Sequence, residues 1–129
     1  MSALLPIQNG SARLKGERAL HNAEFKLMRS IGQKISTRNC IVIWADAPDS
    51  ENHLGLVVSK RFHRHAVQRN RARRLIRESY RLLKGGFQKP VWIVIIPRYK
   101  MQKAKLQDVQ KDMIYALSKV GVMDAQKSL

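Results

Sequence analysis

The chain has 129 residues, with 25 Lys plus Arg against 9 Asp plus Glu and a formal net charge of +16. That length fits one domain, and a hydrophobic fraction of 44% is enough for a packed core, which excludes a wholly disordered basic tail. A folded domain this basic repels itself, so a polyanionic partner is expected.

Residues 1–12 hold few large apolar side chains after Leu5 and include Gly10 and Ser11, which predicts a loose arm. Met1 to Gly10 shows no basic stretch leading into an apolar one, so no signal peptide is expected. Residues 21–31 read as a short helix, with Asn22 as its cap, Leu27, Met28 and Ile31 on its apolar side and Gly32 as its stop. Phe25 shares a face with Met28 and Arg29. Residues 39–46 are rich in β-branched and aromatic types and read as a strand. On it Ile41 and Ile43 share one face, and Cys40, Val42 and Trp44 the other. Ala47 to Asn52 is a turn, and Leu54 to Ser59 reads as a second strand, antiparallel to the first. Val91 to Ile96, an apolar run between Pro90 and Pro97, has the composition of a central strand covered on both faces. Residues 104–120 form the last helix, and residues 121–129 are expected to fray.

No run approaches 18 apolar residues, so no spanning helix and no membrane partner are expected. Cys40 is the single cysteine. It excludes an internal disulfide and a Cys-based zinc site, fits a reducing cytoplasm, and reads as a buried small hydrophobe.

The charge is concentrated. Between Lys60 and Lys84 lie ten basic residues, eight of them Arg, opposed only by Glu78. That segment carries +9 of the +16. Arg binds phosphate through a planar fork and stacks on bases, whereas a merely solvated face could use Lys and Glu equally well. From Ala72 onward, Leu75, Ile76, Tyr80 and Leu83 recur at helical spacing. The other face then holds Asn70, Arg73, Arg74, Arg77, Arg81 and Lys84, with Arg69 and Arg71 near the start. Like charges at this spacing cost about 0.2–0.5 kcal/mol per pair, and cations in a first helical turn oppose the helix dipole. A ridge that costs local stability points to use.

The stretch Ala66-Val67-Gln68-Arg69-Asn70-Arg71-Ala72-Arg73-Arg74-Leu75-Ile76-Arg77-Glu78 resembles the signature of the protein-subunit family of bacterial ribonuclease P. The preceding Gly55-Leu56-Val57-Val58-Ser59-Lys60-Arg61 is similar to that family's strand running into its basic loop. Arg13-Leu14-Lys15, Glu24-Phe25 and Gly32 match its N-terminal pattern. The resemblance spans residues 4–120. It implies an α+β fold: a two-layer α/β sandwich of about three helices and a four-stranded sheet, ordered α-β-β-β-α-β-α, with a left-handed βαβ crossover. The residue pattern alone yields three strands. A fourth would lie near residues 33–38.

The resemblance also implies a division of labour. A large RNA subunit carries the phosphodiester hydrolysis with magnesium, and the protein itself binds no cofactor. The protein binds the ribonuclease P RNA and the 5′ leader of precursor tRNA in the cytoplasm. No DNA partner is expected. Carried over residue by residue, Lys60, Arg61, Arg64, Arg69, Asn70, Arg71, Arg73, Arg74 and Arg77 would face the catalytic RNA. Phe25, Arg29, Ile41 and Ile43 would line the leader cleft. Arg29 stands where relatives carry a second aromatic residue, so the usual aromatic pair is absent. Trp44 would pack away from RNA.

The residues agree with that division. No carboxylate cluster suits a two-metal nuclease, and Asp46, Asp49 and Glu51 read as solvated loop acids. His53, His63 and His65 are too few for a metal site, and His21 reads as surface. His63 and His65 add imidazoles to the basic loop, so RNA binding is expected to tighten slightly toward mildly acidic pH. A ribosomal protein on a similar scaffold is the alternative that composition alone leaves open. A helix-turn-helix DNA binder is disfavoured because the basic helix follows a strand and loop.

Overall fold

The computed structural model describes residues 20–124. The expected loose arm at residues 1–12 lies outside them, as do residues 125–129 of the expected tail. The elements run α1 (Asn22–Ile31), β1 (Gln33–Ser36), β2 (Cys40–Asp46), β3 (His53–Leu56), α2 (Ala66–Leu83), β4 (Val91–Pro97) and α3 (Leu106–Lys119). Single 3₁₀ turns cover Lys84–Gly86 and Tyr99–Lys103.

The sheet has the order β1-β2-β4-β3. β4 is antiparallel to β2 and parallel to β3. The second strand of the sequence reading therefore runs opposite to the first but does not pair with it, because β4 lies between them. That position explains the composition of β4. It has neighbours on both sides and helices over both faces, so Val91 through Ile95 are all buried. β3 stops at Leu56 rather than Ser59, although the Val57 amide still donates to the Ile95 carbonyl at 3.1 Å. The extra strand, β1, is an edge of four residues, Gln-Lys-Ile-Ser, with only Ile35 half-buried.

Register fixes which side chains share a face. Lys34, Ile43, Val94 and Gly55 lie in one row across the sheet, and Ser36, Ile41 and Ile96 in the next. α1 sits on this face. A Cβ at Gly32 would stand 2.6 Å from Ile43 Cγ2, and one at Gly55 would stand 2.7 Å from Phe25 Cζ. The opposite face carries Val42, Ile93 and Ile95 and is covered by α2 and α3. These two helices run the same way. Arg71 ties their N-terminal ends together through the carbonyls of Gln102 and Ala104, and their C-terminal ends meet near the Phe87–Met123 bridge.

α2 begins six residues before its apolar stripe, at Ala66, and buries Ala72, Ile76, Tyr80 and Leu83. α1 is capped one residue earlier than expected: the His21 amide donates to Glu24 Oε1 at 2.7 Å. After α3, Val122 and Met123 are buried, and the Gln88 amide donates to the Val122 carbonyl at 2.7 Å. The chain is therefore docked through Met123, where fraying was expected from residue 121.

Candidate nucleic-acid interface

The lead-in to α2 is a tight loop pinned at several points. Phe62 is buried and its carbonyl accepts from Gln102 Nε2 at 3.0 Å. Arg69 reaches back from the first turns of α2 and donates to the carbonyls of His63 (3.0 Å) and Arg64 (2.8 Å). His63 Nδ1 accepts from the His65 amide at 3.1 Å. Lys60, Arg61 and Arg64 project from this braced loop into solvent. A fixed loop presents its charges with less conformational entropy left to lose on binding.

The helix itself has three faces rather than the two its periodicity suggests. Arg74 is exposed, and so is Arg81, which holds an ion pair with Glu78 (Nε to Oε1 3.0 Å). Arg71 is half-buried and spends its guanidinium on the 3₁₀ turn at Tyr99–Lys103. Arg73 and Arg77 are not on a solvent ridge: they are only 8% and 9% exposed. They lie on the flank of α2 beside the end of β3. There Arg73 donates to the Val58 carbonyl at 3.2 Å and to Asn70 Oδ1 at 2.7 Å. The exposed Asn70 thus uses its amide oxygen within the helix. Arg77 Nε and Nη2 and Arg73 Nε are buried without an acceptor among the described residues. Burial lowers the pKa of both guanidiniums, helped by the charge of Arg69 beside Arg73 and of Arg73 beside Arg77.

The other candidate surface is the α1 face of the sheet. Ile41, Ile43 and Ile96 are half-buried there, with exposed Lys34 and Ser36 at the β1 rim and exposed Arg29 on α1. Ile41 and Ile43 therefore face the same side as α1, as the sequence reading has it. Trp44 turns the other way, under Lys89 Nζ at 5.0 Å from its ring centroid. Phe25 does not stand open for stacking. Its ring is 5% exposed and closes over Gly55 next to Leu20. Lys34 and Ser36 escape sequence reasoning because β1 has no apolar alternation to announce it, and Ile96, though read as strand, joins this face only through the β2–β4 register.

A family model described as Ribonuclease P matches residues 14–121. The chain belongs to the ribonuclease P protein family. It is 32% identical over 110 residues to the ribonuclease P protein component of Clostridium botulinum (strain Langeland), covering 84% of this chain and 98% of that one. With the component of Geotalea uraniireducens it shares 40% identity over 73 residues, 57% of this chain and 64% of that one. The Staphylococcus aureus RNase P protein superposes with a TM-score of 0.73 at 25% identity, over 85% of this chain and all of that one. The three-helix, four-stranded α+β fold is thus the fold of ribonuclease P proteins. The chain is a protein subunit of ribonuclease P, a ribonucleoprotein of tRNA processing whose RNA is its partner. No helix among the described residues is long and apolar enough to cross a membrane.

In this ribonuclease P protein Asp49 of the β2–β3 loop is structural to a degree the sequence does not suggest. Asp49 Oδ1 accepts from Trp92 Nε1 (2.9 Å) and the Glu51 amide (3.1 Å), and Asp49 Oδ2 lies 2.8 Å from His53 Nε2. Burial raises the Asp49 pKa, but the Trp92, His53 and Glu51 hydrogen bonds outweigh it and bring it below the ordinary value. Asp49, Glu51 and His53 are the one trio of possible metal ligands among the described residues. Asp49 already has both carboxylate oxygens engaged in bracing Trp92 and His53, so this donor set fits a structural tie better than a catalytic metal site.

Proposed function

We propose that this protein assists the ribonuclease P RNA in endonucleolytic removal of the 5′ leader from precursor tRNA. Phosphodiester hydrolysis falls to the RNA, with magnesium held there and no cofactor on the protein. The braced loop and α2 dock on the RNA through Lys60, Arg61, Arg64 and Arg74. Arg69 and Arg71 hold that surface in shape, and Arg73, Arg77 and Asn70 complete it from the flank. The single-stranded leader lies along Ile41, Ile43 and Ile96, where Arg29 and Lys34 offer phosphate contacts and the Arg29 plane offers stacking. Phe25 supports that cleft from beneath by holding α1 on Gly55.

One observation carries this reading. Four exposed cations, Lys60, Arg61, Arg64 and Arg74, emerge from a loop and helix in which Arg69, Arg71 and Arg73 are committed to backbone carbonyls, and the other layer of the fold carries a half-open apolar sheet face. Rigid cations on one layer and an apolar groove on the other suit a structured polyanion with a single-stranded extension better than a diffuse charge cloud. The test is reconstitution: the purified chain is mixed with its cognate ribonuclease P RNA and precursor tRNA at low magnesium. Cleavage is expected only with the RNA present and faster with the protein added. Cleavage by the chain alone, or no assistance to the RNA, would refute the proposal.

A further inference from the structure

The charge outside the Lys60–Lys84 segment is +7, and part of it converges at the end of the sheet where β1 turns into β2. A groove of about 620 Å³ lies between the β1–β2 turn, the Tyr99–Lys103 turn and the start of α3. Its charged lining is Arg38, Lys100, Lys103 and Lys111 against Asp108 and Asp112. The two carboxylates are spent on the fold. Asp112 Oδ2 accepts from Thr37 Oγ1 (3.0 Å), the Asn39 amide (2.8 Å) and Asn39 Nδ2 (2.9 Å). Asp108 Oδ2 accepts from the Lys105 amide at 2.8 Å. None of the four cations has an ion pair or side-chain hydrogen bond among the described residues. At the mouth stands Tyr99, 76% exposed.

The pattern continues along α3. Lys111, Tyr115 and Lys119 follow at four-residue spacing on one stripe. Tyr115 is 55% exposed, with Lys119 Nζ 5.5 Å from its ring centroid. Two exposed tyrosines, each among lysines, are the parts of a single-strand RNA site: a ring for a base and cations for the flanking phosphates.

We propose that this groove and the outer stripe of α3 form a second RNA-docking surface, taking an unpaired, splayed segment of the ribonuclease P RNA, with a base stacked on Tyr99 and phosphates on Lys103 and Lys111. The occupant is the large RNA rather than the leader because the groove opens between α3 and the Tyr99–Lys103 turn, to which Arg71 of α2 is bonded through the Gln102 carbonyl, so it adjoins the α2 surface. The inference rests on the proposed docking of α2 on that RNA.

The experiment measures affinity of the full chain for cognate ribonuclease P RNA alone over a salt series, and affinity of the assembled holoenzyme for precursor tRNA with and without its leader. Tyr99→Ala is expected to weaken binding to the RNA at least about fivefold, with Tyr99→Phe restoring most of the loss. The double variant Lys103→Gln, Lys111→Gln is expected to lower the log–log salt slope by about 1–2. Both changes leave the holoenzyme's discrimination for the leader as it was. Arg74→Ala is the reference for the α2 surface. Wild-type affinity and slope in the Tyr99 and lysine variants, while Arg74→Ala weakens binding, overturn this inference and leave the α2 reading standing. Loss in the Tyr99 variant with none in Arg74→Ala supports the groove and removes Arg74 from the α2 surface. A Tyr99→Ala defect that appears only as lost leader discrimination moves the groove to the substrate and overturns the proposal. Equal loss in Tyr99→Ala and Tyr99→Phe overturns the stacking.

Discussion

Arg77 is a charged side chain that the free protein holds at a cost. It is 9% exposed, its Nε and Nη2 have no acceptor among the described residues, and Arg73 stands one turn away with the same sign. Each buried donor left unpaired costs about 1–3 kcal/mol, and apolar replacement of buried charge at similar volume often stabilises by about 1–4 kcal/mol. Arg77→Met keeps an unbranched stem of comparable reach and removes both donors and the repulsion. It should stabilise the free chain by about 1–3 kcal/mol, which raises the urea midpoint by about 1 M at an m-value of about 1–3 kcal/mol/M. Arg74→Met, on the exposed face, should stay within about 0.5 kcal/mol of wild type. The same Arg77→Met chain should bind ribonuclease P RNA more weakly, because a phosphate that reaches this flank would satisfy the free donors. Urea unfolding followed by circular dichroism gives the first quantity, and equilibrium binding at fixed salt the second. An Arg77→Met chain less stable than wild type by 1 kcal/mol or more would show that the guanidinium is satisfied in the free fold, and the reasoning would fail.

Further outcomes follow from other contacts. Gly55→Ala drives a methyl to 2.7 Å from the Phe25 ring, and should destabilise by about 1–3 kcal/mol as overpacking; Phe25→Leu in the same chain should recover part of that in thermal melts. Asp112→Ala strands the donors of Thr37 and Asn39 and should cost about 2–3 kcal/mol in urea unfolding. Burial pushes the Cys40 thiol from 9.0 up to about 11. The folded value exceeds the unfolded one, so the stability it contributes is complete below pH about 9 and is lost as pH rises toward 11. The alkaline decline of the urea midpoint should therefore be shallower in Cys40→Ala.

The parts of this fold that a sequence announces are those whose burial follows a period. β2, β4 and α3 are legible because each lays apolar residues at a spacing of two, one or three-to-four. β1 is not, because an edge strand of Gln-Lys-Ile-Ser is held by main-chain bonds to β2 and little else. The first six residues of α2 are illegible for a related reason: Val67 is 72% exposed and no stripe has begun. At the interface, residue types were legible and their tasks were not. Arg69, Arg71 and Arg73 read alike with Arg74, yet three of them bond carbonyls that come from residues 58, 63, 64, 102 and 104. Those partners are set by the tertiary path of the chain, which no local pattern encodes. The resemblance assigns Phe25 to the leader cleft, and the closure of its ring over Gly55, on a strand three elements later, has no local signal.

The position of β4 also sets a timetable. β2 can pair early with β1, but β3 has no strand to pair with until β4 exists. During synthesis the basic segment from Lys60 onward emerges before Pro97 completes that strand. At about 5–20 residues per second, the arginines of α2 precede the completed β4 by a few seconds. In that interval a nascent chain can meet RNA before it has a core. Association and folding of this subunit can therefore overlap in time.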